Sequence, residues 1–302
     1  MKKISFTVLA FCILVFYPVF PGFTESVVTE TESAVKGKAI NKFNDYTSNI
    51  IQRVSNSLKK NDRIKYLDIG FEFREKGKSS LDIKAVNKLS ENKDSAFFNQ
   101  TSLSLHDNDE TINIGLGYRK LFNDDLLMLG SNVFFDYQFD ESHARNGLGV
   151  EAISSVFDLR GNYYNALSGY KDTSAGEEKA LDGMDAQIDY HLPGKYEANL
   201  FANVFEWKNS SSSYKIEGQK YGGNVKINNL LIEGGYLNDN KSNDGAFASI
   251  TLVIPLGDTD DTALDQKPFE YVSVRDKLYQ PVKRENKIKV VKIGSGVTVS
   301  GF

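Results

Sequence analysis

The sequence predicts an all-β fold, an antiparallel transmembrane β-barrel of about 12 strands with a short N-terminal helical segment. Phe and Tyr are abundant at 20 and 15, with 24 Gly but only 6 Pro, a composition that favours strands joined by tight turns. Runs of strand length alternate apolar and polar residues along most of the chain. The connections between the later runs alternate between tight turns and long polar loops, which is typical of bacterial outer-membrane barrels.

The N-terminus predicts export. Lys2 and Lys3 precede an apolar run from Ile4 to Phe20, the pattern of a secretory signal peptide. A transmembrane anchor is the alternative, but the run contains Pro18 and barely reaches the roughly 20 residues that a bilayer demands. We expect a signal peptide over 1–26. The single cysteine, Cys12, lies inside it, so the mature chain is expected to have no disulfide and no thiol nucleophile.

Residues 27–62 are predicted to form a periplasmic helical leader. Apolar residues recur at a spacing of four, as in Ala39 and Phe43 and again in Ile50, Val54 and Leu58, as on one face of a helix. The helix could pack beneath the following domain or lie on a membrane surface.

Residues 63–257 are predicted to form the barrel itself. The alternation alone would also fit a soluble β-sandwich. Three observations favour the membrane: an even number of runs, short and long connections in alternation, and aromatic residues near run ends, where we expect the aromatic girdles at the two membrane interfaces. Those aromatic residues are Tyr137, Tyr163, Tyr190, Tyr196, Trp207 and Tyr236. The predicted runs are 64–74, 79–88, 96–106, 110–121, 126–139, 143–154, 156–168, 181–192, 195–207, 213–227, 229–238 and 245–256.

The predicted hairpin over 132–152 shows the two faces most clearly. Val133, Phe135 and Tyr137 form one large apolar face, which we expect to contact lipid. Charged residues occupy the other face of this hairpin and of later runs, and they are predicted to line a polar lumen. These predicted lumen-facing residues are Asp136, Arg145, Glu151, Arg160, Asp185 and Asp189.

The same hairpin resembles the β-domain of the inverse autotransporters, the intimin and invasin family. The residues that carry the resemblance are Phe134, Phe135, Asp136, Arg145, Gly147, Gly149 and Glu151, and it continues at 162–164, 167–169, 182–185, 190–193 and 282–288. The resemblance implies a 12-stranded barrel with both ends initially periplasmic. It also implies that the segment after the last strand returns through the lumen, so that a C-terminal passenger is displayed as an adhesin.

The chain departs from that family after the barrel. Only 46 residues follow Leu256, so the usual immunoglobulin-like passenger domains are not expected there. We expect 258–302 to be a linker or plug segment that either closes the pore or exposes its tip. The predicted function is therefore an outer-membrane translocator and anchor of the intimin and invasin type, with a role in adhesion.

Two other functions stay open: a passive structural or pore-forming barrel, and an outer-membrane hydrolase. For a hydrolase, His106 beside Asp107, or His143 beside Ser142 and Asp140, would lie on outer loops, but no nucleophile motif accompanies them. We expect no catalytic residues, cofactor or metal site. The expected partners are outer-membrane lipid, periplasmic chaperones, the β-barrel assembly machinery and an unidentified extracellular ligand. The formal charge of −4 indicates no nucleic-acid partner.

Overall fold

A computed structural model describes residues 63–76, 78–106, 109–173, 176–194, 196–241, 243–256, 270–293 and 297–300. The predicted signal peptide and helical leader lie outside these residues, so both stay predictions. Within the described ranges, no helix reaches the length and hydrophobicity that a bilayer crossing needs.

The described chain is almost entirely β-structure, as expected from its alternating runs. The strands are β1 (Ile64–Arg74), β2 (Ser80–Glu91), β3 (Ser95–His106), β4 (Asp109–Phe122), β5 (Leu127–Gln138), β6 (Ala144–Ser154), β7 (Phe157–Ala166), β8 (Lys171–Thr173), β9 (Gly176–Ala180), β10 (Asp182–Leu192), β11 (Glu197–Lys208), β12 (Lys215–Ile227), β13 (Leu230–Asp239), β14 (Gly245–Pro255), β15 (Val290–Ile293) and β16 (Val297–Ser300). A short 3₁₀ helix covers Arg275–Tyr279.

Twelve of these strands form a closed barrel in the order β1-β14-β13-β12-β11-β10-β7-β6-β5-β4-β3-β2. Every pairing around the ring is antiparallel, and β1 closes the ring by pairing with β14. Closure pairs both edges of the sheet, which is what a strand structure needs in lipid. The predicted antiparallel barrel of about 12 strands is confirmed.

The outer face of the barrel is apolar because successive side chains of a strand point to opposite faces. Leu148 and Val150 on β6 expose 60% and 65% of their surface, and Leu159 on the neighbouring β7 exposes 52%. Such a broad exposed apolar surface is suited to lipid rather than water.

Trp207 is not part of an outer aromatic girdle, and the prediction that placed it there is wrong. Its side chain is 2% exposed and its ring centroid lies 5.0 Å from that of Tyr164 inside the barrel. The opposite residue on β10 is Gly183, where a Cβ atom would come within 2.1 Å of the indole. The glycine therefore gives the large inward ring its room.

A second, four-stranded sheet lies outside the barrel, in the order β16-β15-β9-β8. The sequence predicts a polar loop at 170–178, but the structure forms the β8 and β9 hairpin there. β9 continues almost directly into β10, and its free edge pairs with the distant strand β15. Strands as short as β8 and β9 need a partner strand to be stable, and the local residue pattern does not show that the partner is β15.

The two ends of the barrel differ in their connections. At the proximal end, where β1 begins and β14 ends, the connections are 92–94, 123–126, 155–156, 193–196 and 228–229. The distal end carries 75–79, 107–108, 139–143, 209–214, 240–244 and the long connection 167–181 with its hairpin. The longest connection and the second sheet therefore belong to the distal end.

Candidate functional site in the barrel lumen

Residues 270–293, here called the C-terminal segment, run through the barrel from the proximal to the distal end. Ser155, in a proximal turn, donates a hydrogen bond to the carbonyl of Glu270 at 3.1 Å and accepts one from the Val272 amide at 2.9 Å. At the other extreme, Val290–Ile293 pairs with β9 in the distal sheet. The chain between these contacts is enclosed by the barrel wall.

The proximal part of the segment is held by apolar contacts. Val274, which precedes the 3₁₀ helix, and Leu278 within the helix pack in one buried cluster with the wall residues Leu121, Met128 and Ile153. Burying such side chains stabilises the docked helix, by roughly 1.5–3 kcal/mol for each fully buried one. The apolar cluster closes this side of the proximal opening.

Just above this cluster, Arg119 of β4 binds the backbone of the segment. Its guanidinium donates to the carbonyls of Leu278 and Gln280 at 2.9 and 2.6 Å. Glu151 of β6 accepts from the Nε of the same guanidinium at 2.6 Å, and both side chains are almost fully buried. Glu151 therefore neutralises and orients the arginine that caps the end of the helix.

The centre of the lumen holds a buried charge cluster around Asp136. Arg284 of the segment donates two parallel hydrogen bonds to the Asp136 carboxylate, both at 2.7 Å. Arg145 and Asn113 donate to the same carboxylate, each at 2.8 Å. Bidentate pairing in a desolvated site fixes both the position and the orientation of Arg284. We call Asp136, Arg145, Arg284 and Asn113 the central clamp.

Aromatic rings flank the central clamp. The Arg284 guanidinium carbon lies 4.3 Å from the ring centroid of Phe134 and 5.3 Å from that of Tyr164. The Tyr164 hydroxyl accepts from the Glu285 amide and donates to Asp185, each at 2.7 Å. Cation–π contacts strengthen when they are desolvated, so the rings add to the ionic grip on the segment.

Glycines on neighbouring strands make space for these rings. A Cβ atom at Gly115 would come within 2.3 Å of the Phe134 ring, and one at Gly117 within 2.2 Å of the Phe98 ring. Two rings can therefore lie flat against the wall, which leaves the lumen free for the segment.

Much of the contact with the segment is made to its backbone. Arg145 donates to the carbonyls of Glu285 and Lys287, and Asn113 donates to the carbonyl of Asn286 at 2.9 Å. Gln100 accepts from the Val282 amide at 2.7 Å. Backbone groups are common to every residue, so these contacts depend little on the sequence of the bound chain.

A further ionic contact involves the opposite side of the segment. Lys283 donates to Asp189 of β10 at 2.8 Å. Asp189 also accepts from Arg160 of β7, which donates in turn to Asp158 at 2.8 Å. The segment is therefore held by charged wall residues on two sides.

The structure places all six predicted lumen-facing residues at inward positions. Five of them, Asp136, Arg145, Glu151, Arg160 and Asp189, are buried, while Asp185 is half-buried. Among the residues that carry the family resemblance, Phe134 contacts Arg284, and a Cβ atom at Gly147 would come within 2.8 Å of the Arg284 guanidinium. Gly149 adjoins Asn132 and Asn162 of the neighbouring strands. Phe135 points outward with 46% exposure.

Sequence reasoning did not single out Gln100, Asn113, Arg119, Tyr164 or Arg284 as functional. For Asn113 and Arg119 a signal was present, since both share the inward parity of Gly115 and Gly117 on β4. For Arg284 the resemblance at 282–288 marked the stretch, but nothing local identified its partner 148 positions earlier.

The sequence predicts that His143 lies on a solvated outer loop, and this prediction is wrong. His143 is fully buried, with its Nδ1 atom 2.8 Å from Ser168 Oγ and its Nε2 atom 3.2 Å from Glu178 Oε1. The predicted neighbours Ser142 and Asp140 are instead exposed. Lys292 of β15 lies 3.0 Å from Glu178, so this cluster joins β9 to the emerging segment.

Electrostatics at this distal cluster favours the ionised carboxylate. Burial acts to raise the pKa of Glu178, but contacts with His143 and Lys292 outweigh it and hold the pKa below its usual value. Burial likewise acts to lower the pKa of Lys292, yet its contact with Glu178 raises the pKa overall. The pair is therefore charged at neutral pH.

The other sequence-predicted histidine is also not solvated. His106 is the last residue of β3 and is 6% exposed, while Asp107 lies outside the described residues. Within the described ranges, no group of His, Cys, Asp or Glu side chains is arranged to hold a metal ion.

A closed barrel with an apolar outer face and a charged interior defines an outer-membrane β-barrel, and the chain is such a protein. A family model for the inverse autotransporter β-domain matches residues 22–286. The chain therefore belongs to the inverse autotransporter β-domain family, whose members are outer-membrane anchors and translocators.

Two curated relatives come from Escherichia coli K12. The chain is 32% identical over 99 residues to a putative attaching and effacing protein homolog, a match that covers 32% of this chain and 33% of that protein. It is 31% identical over 107 residues to the inverse autotransporter adhesin YeeJ, covering 34% of this chain and 4% of that protein. The matches thus span a third or less of these relatives.

A solved structure described as "Unveiling the Mechanism Behind the in-meso Crystallization of Membrane Proteins" has the same fold. Its TM-score is 0.63 at 19% identity, and the match covers 74% of this chain and 98% of that one. At this identity the likeness concerns the fold alone.

Proposed function

We propose that this protein is an outer-membrane anchor and translocator that carries its own C-terminal segment from the periplasm to the cell surface. The observation that carries the proposal is the path of residues 270–293, which contact a proximal turn at Ser155 and the distal strand β9 at Val290–Ile293. A chain with these two contacts crosses the full height of the barrel.

The direction of transport follows from the connections. Outer-membrane barrels have short periplasmic turns and longer extracellular loops, and the longest connection here, 167–181, is distal. The proximal end is therefore periplasmic in this proposal, with residues 1–26 as a signal peptide and 27–62 as a periplasmic leader. Residues 63–257 then form the barrel, and 258–302 form the exported linker and plug.

The contacts suit an extended chain in transit. Wall residues such as Arg145 and Asn113 bind carbonyl groups, which any passing sequence would present. Arg284 and Asp136 add a sequence-specific stop, so the segment would come to rest when Arg284 reaches Asp136. Periplasmic chaperones and the β-barrel assembly machinery are the partners that this class of protein implies.

An epitope tag after Phe302, probed with antibody on intact cells, tests the proposal. We expect the tag to be accessible without permeabilisation. A tag in the proximal turn 228–229 is the matched control and should react only after permeabilisation, while one at 240–244 should react on intact cells. Access to the Phe302 tag only in permeabilised cells would overturn export.

We also propose a role in adhesion, because one relative is named an inverse autotransporter adhesin. Cells expressing the chain should attach to host cells more than cells without it, and the gain should be lost when 167–181 is replaced by a short turn.

The lack of enzymatic activity is a further prediction. His143 contacts Ser168 and Glu178, the residue types that a serine hydrolase combines. Any hydrolysis measured with the purified protein should therefore be the same in the Ser168→Ala variant.

A further inference from the structure

A cavity of about 630 Å³ lies beside the C-terminal segment, mainly against β11 to β14 and β1, with further lining from β7, β10 and β2. Its lining includes Lys65 near the start of β1 and Arg74 at its end. It also includes Asn228 in a proximal turn and Leu237 near the distal end of β13. Because β1 crosses the whole wall, the cavity extends over the height of the barrel.

We propose that the folded barrel conducts monovalent ions and small hydrophilic solutes through this cavity while the C-terminal segment stays in place. This function is separate from export, since it requires the segment to be seated rather than moving. Polar side chains on β11 and β12, such as Asn199, Asn203 and Asn224, supply a lining that water can wet.

A chain of alternating charges crosses the passage. Lys287 of the segment lies 3.6 Å from Glu72, and Lys220 lies 3.3 Å from Glu72 and 3.2 Å from Glu233. Ser249 of β14 is the register partner of both Glu72 and Glu233. The chain therefore crosses the lumen at the level of Ser249.

Lys220 and Glu233 of this charge chain keep contact with solvent, unlike the central clamp, while Lys287 is buried. The side chains of Lys220 and Glu233 are each 22% exposed, whereas those of Arg284 and Asp136 are 1% and 0% exposed. Charged groups that remain hydrated can exchange with passing ions, while a desolvated bidentate pair seals its surroundings. The charge chain would thus filter solutes without closing the passage.

Conductance of the purified full chain in planar bilayers tests the proposal. We expect discrete current steps in KCl, and a shift of the reversal potential toward cation preference in Lys220→Gln, which leaves Glu72 and Glu233 with less positive charge nearby. Ser249→Trp should lower the conductance. The matched control Ala248→Trp, on the exposed lipid side of the same strand, should leave the conductance unchanged.

Thiol chemistry locates the path of the current. Cys12 is the only cysteine of the chain, so a Cys12→Ala background allows Ser249→Cys to be modified alone by an anionic methanethiosulfonate. The current should fall on modification, and Ala248→Cys should show no fall. Folded protein without current, a thiol at 249 that the reagent does not reach, or a current indifferent to a modification verified by mass spectrometry would each overturn the proposal.

Discussion

The two sides of the barrel wall share one alternation of inward and outward residues, yet they use their inward positions differently. On β4 to β7 the inward side chains meet the C-terminal segment, and the clamp residues Asp136 and Arg145 are fully buried. On β12 and β13 the inward Lys220 and Glu233 face the cavity and stay partly exposed. Desolvated charges hold a peptide, whereas hydrated charges leave room for water.

The difference extends to shape. The clamp side combines inward glycines with inward rings, as at Gly115 and Phe134, so that the wall is thin where the segment passes. The cavity side carries amides instead, and Asn199 donates to Asn224 at 2.9 Å across β11 and β12. One barrel thus combines a peptide-binding surface with a polar surface.

Removing the central carboxylate should have the largest effect. Asp136→Ala leaves Arg145 and Arg284 buried without their shared partner, and breaking a buried pair in this way costs about 3–5 kcal/mol. The free energy of unfolding, measured by urea titration in detergent micelles, should fall by that order. Hydrogen exchange of the segment amides near Arg284 should rise in parallel.

The matched control is Glu197→Ala on the cavity side. Glu197 pairs with Lys226 at 3.0 Å, but the side chains are 51% and 39% exposed, so the expected loss is about 0–1 kcal/mol. Equal losses in the two variants would contradict the contrast between the two sides.

An intermediate effect is expected from filling a glycine on the clamp side. Gly117→Val would force the Phe98 ring from its place, and overpacking of this kind costs about 1–3 kcal/mol. Gly161→Val is the control, because a Cβ atom there meets only Val150, at 4.0 Å. The control should unfold at nearly the urea concentration of the unmodified protein, and a similar loss in both variants would argue against the thin wall.

Acidification to about pH 4 should produce the smallest effect, which we expect to see first in the distal sheet. The lowered pKa of Glu178 means that its ionised form contributes stability above its unfolded pKa of about 4.3, and that this is lost as the pH falls through the folded value. The raised pKa of Lys292 preserves its contribution up to alkaline pH. Hydrogen-exchange protection of β15 should therefore be constant near neutrality and decline below about pH 4.

Glu178→Gln separates this effect from general acid unfolding. The variant should show weaker protection of β15 at neutral pH and little further loss on acidification. Loss of protection around the barrel strands at the same pH would instead indicate global unfolding.

Local patterns were sufficient to predict the barrel strands within a few residues. The predicted run 110–121 became β4 at Asp109–Phe122, and 245–256 became β14 at Gly245–Pro255. The hairpin of β8 and β9 was mistaken for a loop, because its partner β15 lies more than 100 residues later. His143 was misplaced for the same reason, since Ser168 and Glu178 reach it only through the folded distal end.

The sequence by itself determined the number of barrel strands, most of their inward and outward positions and the family, since a period of two is a property of each strand alone. Only the tertiary structure decided which inward residues bind the C-terminal segment and which face the cavity. Asp136 and Glu233 are both inward carboxylates, but Asp136 is bound by Arg284, 148 residues later in the chain, whereas Glu233 pairs with Lys220 of the neighbouring strand and stays partly exposed. How deeply each ion pair is buried depends on the closure of the barrel and on the path of the C-terminal segment through it. Burial lowers the local dielectric constant and so sets the strength of the pair.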